Sequence, residues 1–147
     1  MYQRILVATD GSALSKKAVR SAIDLAAAID ADLVALYVAP RYPVSYFEGG
    51  MAVSMQEIAR TEKLWADKGQ AVVDAVQQSA KAEDVKAKAI VTKSDLVAES
   101  IMAAARKHKC DLVVMASHGR KGIKRVLLGS ETQHVLTHST VPVLVLR

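Results

Sequence analysis

A doubly wound α/β domain built on a five-stranded parallel sheet is the fold class that this sequence predicts. Strand-sized apolar runs alternate with helical stripes along the whole chain, and most connections between them are short. The size agrees: 147 residues, 51% hydrophobic and 24% charged, are enough for one domain spanning residues 1–147 with a substantial core. That mix is far from the low-hydrophobicity signature of disorder.

Tyr2–Thr9 (YQRILVAT) has the apolar centre of a parallel strand covered on both faces, and Asp10-Gly11 ends it. From Ser12 to Ile29 apolar residues recur at Leu14, Ala18, Ala22, Leu25 and Ile29, a helical stripe with Ser12 as its N-cap. Asp30-Ala31-Asp32 turns the chain into a second strand, Leu33–Val38. Ala39–Val53 then forms a long loop with two of the three prolines, Gly49-Gly50, Tyr42, Tyr46 and Phe47. Loops of that length are often functional, so it reads either as a surface loop packed on its own domain or as a lid or adenine wall.

From Ser54 to about Ala80 a second helix carries Met55, Ile58, Trp65, Val72 and Val76, with Gly69 as a weak point. Lys86–Thr92 alternates charged and apolar residues, which predicts an edge strand with one solvated face. Ser94 or Asp95 is expected to cap the next helix, with the stripe Val97, Ile101, Ala104 and His108. Asp111–Ala116 reads as the fourth strand and Ser130–His138 as a short helix. Val141–Leu146 is the fifth strand, entered through Pro142.

No apolar run approaches the ~20 residues that cross a bilayer, and the apolar part of Met1–Asp10 is too short for a secretory signal. Cys110 is the single cysteine, so no internal disulfide is possible, and a cytoplasmic protein with no membrane partner is expected. The net charge of +5 raises the question of an anionic ligand. Arg120, Lys121, Lys124 and Arg125 fall within six residues, as a solvated basic loop or one that faces phosphates. Aromatic residues are only 4%, which leaves little for base stacking and argues against nucleic acid.

In doubly wound sheets ligands bind beyond the C-terminal strand ends, where strand order reverses beside the first strand. Asp10, Val38 and the loop after Ala116 all belong to that edge. In that loop Ala116-Ser117-His118-Gly119-Arg120-Lys121-Gly122 leaves a buried strand, and Gly129-Ser130 opens a helix. Glycines permit close approach and positive φ, and a helix N-terminus attracts anions, so Ala116–Ser130 is expected to cradle nucleotide phosphates. Ser130 adds a hydroxyl donor, or serves as the N-cap.

Over its whole length the chain resembles the universal stress protein family. Nucleotide-binding members carry G-x2-G-x9-G-S/T after the fourth strand, and Ala116, Gly119, Gly129 and Ser130 stand at the matching positions. Arg4-Ile5-Leu6-Val7-Ala8-Thr9-Asp10-Gly11-Ser12 and Val141-Pro142-Val143-Leu144-Val145 match the family at the two ends. The resemblance implies an adenine-nucleotide alpha-hydrolase-like fold with strand order 3-2-1-4-5. It implies an ATP-binding regulator of stress survival, with Asp10 near the ribose, the Val38 backbone against adenine, and Gly119, Gly129 and Ser130 around the phosphates. Ala8, Thr9, Ala116, Ser117, His118, Arg120, Gly122, Glu131 and Thr132 complete the expected nucleotide-binding set. Mg²⁺ would bridge phosphates rather than sit in a protein cage. A homodimer through Val141–Leu146 and a protein partner are further implications. Two positions depart from the family: Ala116 replaces a glycine, and Lys93-Ser94 stands where glycine is common. A positive φ at Ala116 would strain the methyl group, whereas an extended backbone would tolerate it.

His134 and His138 have the spacing of a metal pair but no evident third ligand, and read as surface or interface histidines. His118 is either a phosphate donor or a turn residue, His108 a partly buried helix end, and Cys110 a small apolar residue. The lysine of a Walker sequence is missing before Ser130, and no nucleophile–base order is present, so ATP hydrolysis is expected to be slow at most. A nucleotide-independent dimeric interaction module is the alternative function. A phosphoryl receiver fits less well because Asp10 lacks an acidic neighbour, and a flavodoxin because Thr9-Asp10-Gly11-Ser12 is a poor phosphate loop.

Overall fold

The computed structural model describes residues 1–43, 53–119 and 128–147. Five strands alternate with four helices: β1 Arg4–Ala8, α1 Ala13–Ile29, β2 Asp32–Ala39, α2 Met55–Ala82, β3 Ala87–Lys93, α3 Val97–Lys107, β4 Leu112–Ala116, α4 Ser130–His138 and β5 Val143–Leu146. All pair in parallel in the order β3-β2-β1-β4-β5, as expected for an adenine-nucleotide alpha-hydrolase-like sheet. Ile5 of β1 is level with Leu33 of β2 on one side and Leu112 of β4 on the other. The chain first builds outward through β2 and β3 and then restarts on the other side of β1. Strand order therefore reverses between β1 and β4.

Two apolar layers cover the sheet. Ile5, Val7, Leu33, Ala35, Leu112 and Val114 pack with Ala18, Ala22 and Ile23 of α1 and Val73 and Val76 of α2. Their alternate neighbours Leu6, Val34, Leu36, Val113 and Met115 pack with Ile101 and Ala105 of α3 and Val135 of α4. Burial on both faces is why the central strands are continuously apolar. β3 and β5 are the two edges, and their half-buried patterns reflect it.

The helix ends have local causes. Ser12 caps α1, its Oγ accepting the Ser15 N–H at 3.3 Å, and Asp30 closes it in the left-handed region at φ 57°. Ser54 caps α2 in the same manner. Gly69 is buried in α2 against Tyr37, where an added Cβ would lie 2.3 Å from the ring Cδ1. The weak point of the sequence is thus a packing requirement.

Four expectations are corrected. Ser94 and Asp95 do not cap α3: Leu96 occupies the N-cap, Ser94 Oγ accepts the Leu96 N–H at 3.0 Å, and Asp95 Oδ1 accepts the Arg41 N–H at 3.0 Å. β5 starts at Val143, because the Val141 N–H turns back to Ser139 Oγ and the Pro142 carbonyl accepts from Val113. Met55 is 81% exposed, and the buried positions of α2 begin only at Gly69. On α1 the buried line runs through Ser15, Ala18, Ala22 and Ala26, and Leu14, Leu25 and Ile29 flank it half-buried.

Candidate functional site

At the C-terminal ends of the strands, on the α3 and α4 side of the sheet, lies a groove of about 660 Å³. Its floor follows the strand order. Leu36 and Val38 come from β2, Ala8, Thr9 and Asp10 from β1, and Met115 and Ala116 from β4, while His118, Gly119 and the start of α4 form the far wall. The structure thus gathers Ala8, Thr9, Asp10, Val38, Ala116, His118, Gly119, Gly129, Ser130, Glu131 and Thr132 around one space. Ser117, 7% exposed, does not line it. Arg120 and Gly122 lie outside the described residues, as do Lys121, Lys124, Arg125, Tyr46 and Phe47. Of the aromatic loop, Tyr42 stacks on Trp65 with ring centroids 6.2 Å apart.

The turn after β1 is held by its own side chains. Thr9, 6% exposed, shares a hydrogen bond with Ser15 Oγ at 3.0 Å and accepts the Gly11 N–H at 3.2 Å. Asp10 Oδ1 accepts the Ser12 N–H at 2.9 Å, so Asp10 is both a turn acid and a wall of the groove. Gly11 has φ 80°, which explains a glycine there.

The two glycines of the far wall are needed for proximity rather than for positive φ. Neither falls in the left-handed region, and Gly129 is extended at φ −61° and ψ 147°. A Cβ on Gly119 would come within 2.7 Å of Asp10 Oδ2, and one on Gly129 within 3.0 Å of the Ser117 carbonyl oxygen. Gly119 thus lets the segment after β4 close against Asp10. Gly129 donates to that same Ser117 carbonyl at 2.7 Å, which fixes the start of α4 beside the end of β4.

Ala116 is extended, paired with Leu146 and 7% exposed. Its φ is not positive, so its methyl group carries no backbone strain. Leu112 and Val114 face α1 while Val113 and Met115 face α3, so alternation puts that methyl on the α1 side. Thr132, 3% exposed, donates its hydroxyl to the Ala116 carbonyl at 2.9 Å and ties α4 to β4.

Gly129, rather than Ser130, is the N-cap of α4, and it offers no side-chain cap. The Ser130 hydroxyl is therefore not used as a cap, and Ser130 is exposed at the groove. Helix geometry leaves the first N–H groups of α4 without acceptors inside the helix. The Glu131 carboxylate accepts the Ala98 N–H of α3 at 2.9 Å, so Glu131 meets the groove with its side chain already committed. His118 Nδ1 lies 3.3 Å from Ser117 Oγ.

Ser94, Asp95, Val97 and Ile101 also line the groove and were not expected there. Only Val97 and Ile101 left a signal, as apolar positions at the start of the α3 stripe. The His134 and His138 rings lie 4.5 Å apart, tilted by 39°, and His134 Nε2 approaches Glu99 Oε1 at 3.3 Å, across the α3–α4 contact. Among the described residues no group of three His, Cys, Asp or Glu side chains could hold a metal ion. Nor is any described helix long and apolar enough to cross a membrane.

The relatives agree with this architecture. The chain is 34% identical over 147 residues to universal stress protein MJ0531 of Methanocaldococcus jannaschii, with 100% of this chain and 83% of that protein covered. The structure of universal stress protein UspA from Lactobacillus plantarum superposes with a TM-score of 0.82 at 24% identity, covering 99% of this chain and 98% of that one. A universal stress protein in complex with cAMP superposes with a TM-score of 0.68 at 26% identity, covering 99% and 97% of the two chains. The model of the universal stress protein family matches residues 1–147, and the chain belongs to that family.

Proposed function

We propose that this protein binds ATP in the groove and acts in the cytoplasm as a nucleotide-responsive regulator of stress survival. The order in which the strands present the groove supports this. Val38 lies on β2, Asp10 follows β1, and Gly119 with the start of α4 follows β4. Neighbouring strands are about 4.8 Å apart, so this row extends about 10 Å, the reach of a nucleotide from base to phosphates.

In that arrangement adenine lies against the Val38 backbone, the ribose beside Asp10, and the phosphates between Gly119 and Ser130. The α4 N-terminus contributes donors and a favourable dipole for the phosphates. Arg120 and Gly122, outside the described residues, are assigned to the phosphates from their sequence position alone. The related protein in complex with cAMP supports an adenine nucleotide as the ligand class. Mg²⁺, when bound, would be held mainly by phosphate oxygens. Asp10 is fixed by Ser12 and abuts Gly119, an arrangement suited to holding a ribose more than to activating water. Turnover of ATP is accordingly slow.

Calorimetric titration with ATP and Mg²⁺ tests the proposal, and saturable binding with one site per chain is expected. Denaturing the purified protein should release an adenine nucleotide. No heat and no thermal shift at millimolar ATP would rule the proposal out.

A second function, a nucleotide-independent homodimer that holds a protein partner, is favoured by the edge strand β5, where Leu144 is 41% exposed. Sedimentation would then show a dimer whose mass does not respond to ATP. A monomer at all concentrations would exclude it.

A further inference from the structure

The opposite end of the same sheet face carries a second groove, of about 550 Å³. It exists because the α3 side of the sheet is incompletely roofed. α3 packs over β2 and α4 against β5, while among the described residues no helix packs closely on that side of β3. Ile90 of β3 packs with the α3 layer, so Lys88, two residues earlier, lies on the same side.

Five cations converge there from three separate parts of the fold: Arg4 from β1, Lys86 and Lys88 from the start of β3, and Lys107 and Lys109 from the end of α3. One carboxylate, Asp32, lines the groove, and its Oδ2 is already 3.3 Å from Arg4 Nη2. Arg4 is further held by donating Nη1 to the His108 carbonyl at 2.8 Å. None of the four lysines has an ion-pair partner among the described residues.

The dipole of α3 accounts for basic residues at its own C-terminus, but not for Lys86 and Lys88 arriving from another element. Lys109 has φ 54° in the left-handed position that ends α3, so a lysine stands there against backbone preference. His108, between them, is held below its usual pKa by burial and by Lys88, Lys107 and Arg4, a sign that their positive potential overlaps in the groove.

We propose that this groove binds a short phosphate chain that carries no base. Unpaired ammonium groups on flexible stems suit the distributed charge of linked phosphates. Among the described residues no Phe, Tyr or Trp lines the groove, and Arg4 is committed to Asp32 and the His108 carbonyl, so the lining favours charge over a base, and its volume is that of a small-molecule site. The site is distinct from the nucleotide groove: Arg4 opens β1 and Ala8, in the nucleotide groove, closes it, roughly 13 Å away at 3.3 Å per residue.

The experiment is calorimetric titration of the full chain with sodium tripolyphosphate. The variants are Lys88→Gln with Lys107→Gln in the groove, Lys16→Gln with Lys17→Gln on exposed α1, and Gly119→Ala beside the nucleotide groove. Circular dichroism and thermal midpoints establish that each variant is folded. Saturable binding that weakens about tenfold or more in the groove variant, through loss of two charge-assisted contacts, is expected. The α1 variant should bind as the parent does, and the loss caused by the groove variant should persist in a Gly119→Ala background. Equal weakening by the α1 pair would reduce the effect to net charge, and loss confined to Gly119→Ala would place the anion in the nucleotide groove. Either result overturns the proposal, as does the absence of saturable binding. Tighter binding of a hexaglutamate peptide than of tripolyphosphate would overturn it in favour of an acidic protein segment.

Discussion

Glu131 Oε2, in the first turn of α4, accepts the backbone N–H of Ala98 in the first turn of α3 at 2.9 Å. α3 has no side-chain cap of its own, because Leu96 occupies that position. One helix therefore caps another, and the join lies at the rim of the candidate groove. Glu131→Ala should lower stability by about 1 kcal/mol, the usual value of an N-cap, and Glu131→Gln by less because an amide oxygen remains. Chemical denaturation measures both, and an unchanged Glu131→Ala midpoint would show that α3 needs no such cap.

Two opposing effects meet at Gly69. Alanine in a helix is favoured over glycine by about 1 kcal/mol, but overpacking a core typically costs 1–3 kcal/mol. The new Cβ would lie 2.3 Å from Cδ1 and 2.9 Å from Cγ of Tyr37, atoms at the base of a buried ring that cannot swing aside. Gly69→Ala is expected to destabilise the protein by up to about 2 kcal/mol net in urea denaturation. A stabilised variant would mean that the contact relaxes freely.

Ala116→Gly restores the glycine of the family pattern. Since Ala116 is extended, buried and turned to the α1 side, its methyl should not obstruct a nucleotide. ATP affinity should stay within about twofold, while stability falls by about 0.5–1 kcal/mol from the added backbone freedom of glycine. A large gain in affinity, measured by calorimetry, would show instead that the methyl group crowds the ligand.

The opposite outcome is expected across the groove. Gly119→Ala would drive a methyl group to 2.7 Å from Asp10 Oδ2 and separate the loop from the β1 turn. ATP affinity should drop by about tenfold or more, since one added carbon displaces both walls at once. Fluorescence or calorimetric titration would reveal unchanged binding if the two walls act independently.

Burial pushes the Cys110 thiol up to about 11, from 9.0 for a free thiol. In the native protein it stays protonated, so Ellman's reagent at pH 8 should react slowly and reveal one thiol per chain only after denaturation. Its contribution to stability is fully present below pH 9 and is lost as pH rises from about 9 to about 11, where the unfolded chain releases the proton first. A rapid native reaction would contradict the burial.

The sequence by itself determined the order and type of all nine elements, because each apolar face must be buried and its spacing differs between strands and helices. Both-sided burial made β1, β2 and β4 unmistakable, and the alternation of charge in β3 marked it as an edge. Local turn chemistry also made Ser12 legible as the cap of α1, and apolar spacing alone placed the start of α2 at Ser54. The edge of the sheet that holds the candidate site followed from strand order, and Gly119, Gly129 and Ser130 followed from their spacing. What the glycines accommodate was decided only by tertiary structure: Tyr37 against Gly69 and Asp10 against Gly119 meet across 32 and 109 residues of chain. The same holds for Glu131 capping α3 and for the lysines of β3 meeting those of α3. Short-range patterns record the burial and capping that adjacent residues impose on one another, whereas these contacts exist only after parallel strands and their crossovers have brought distant segments together.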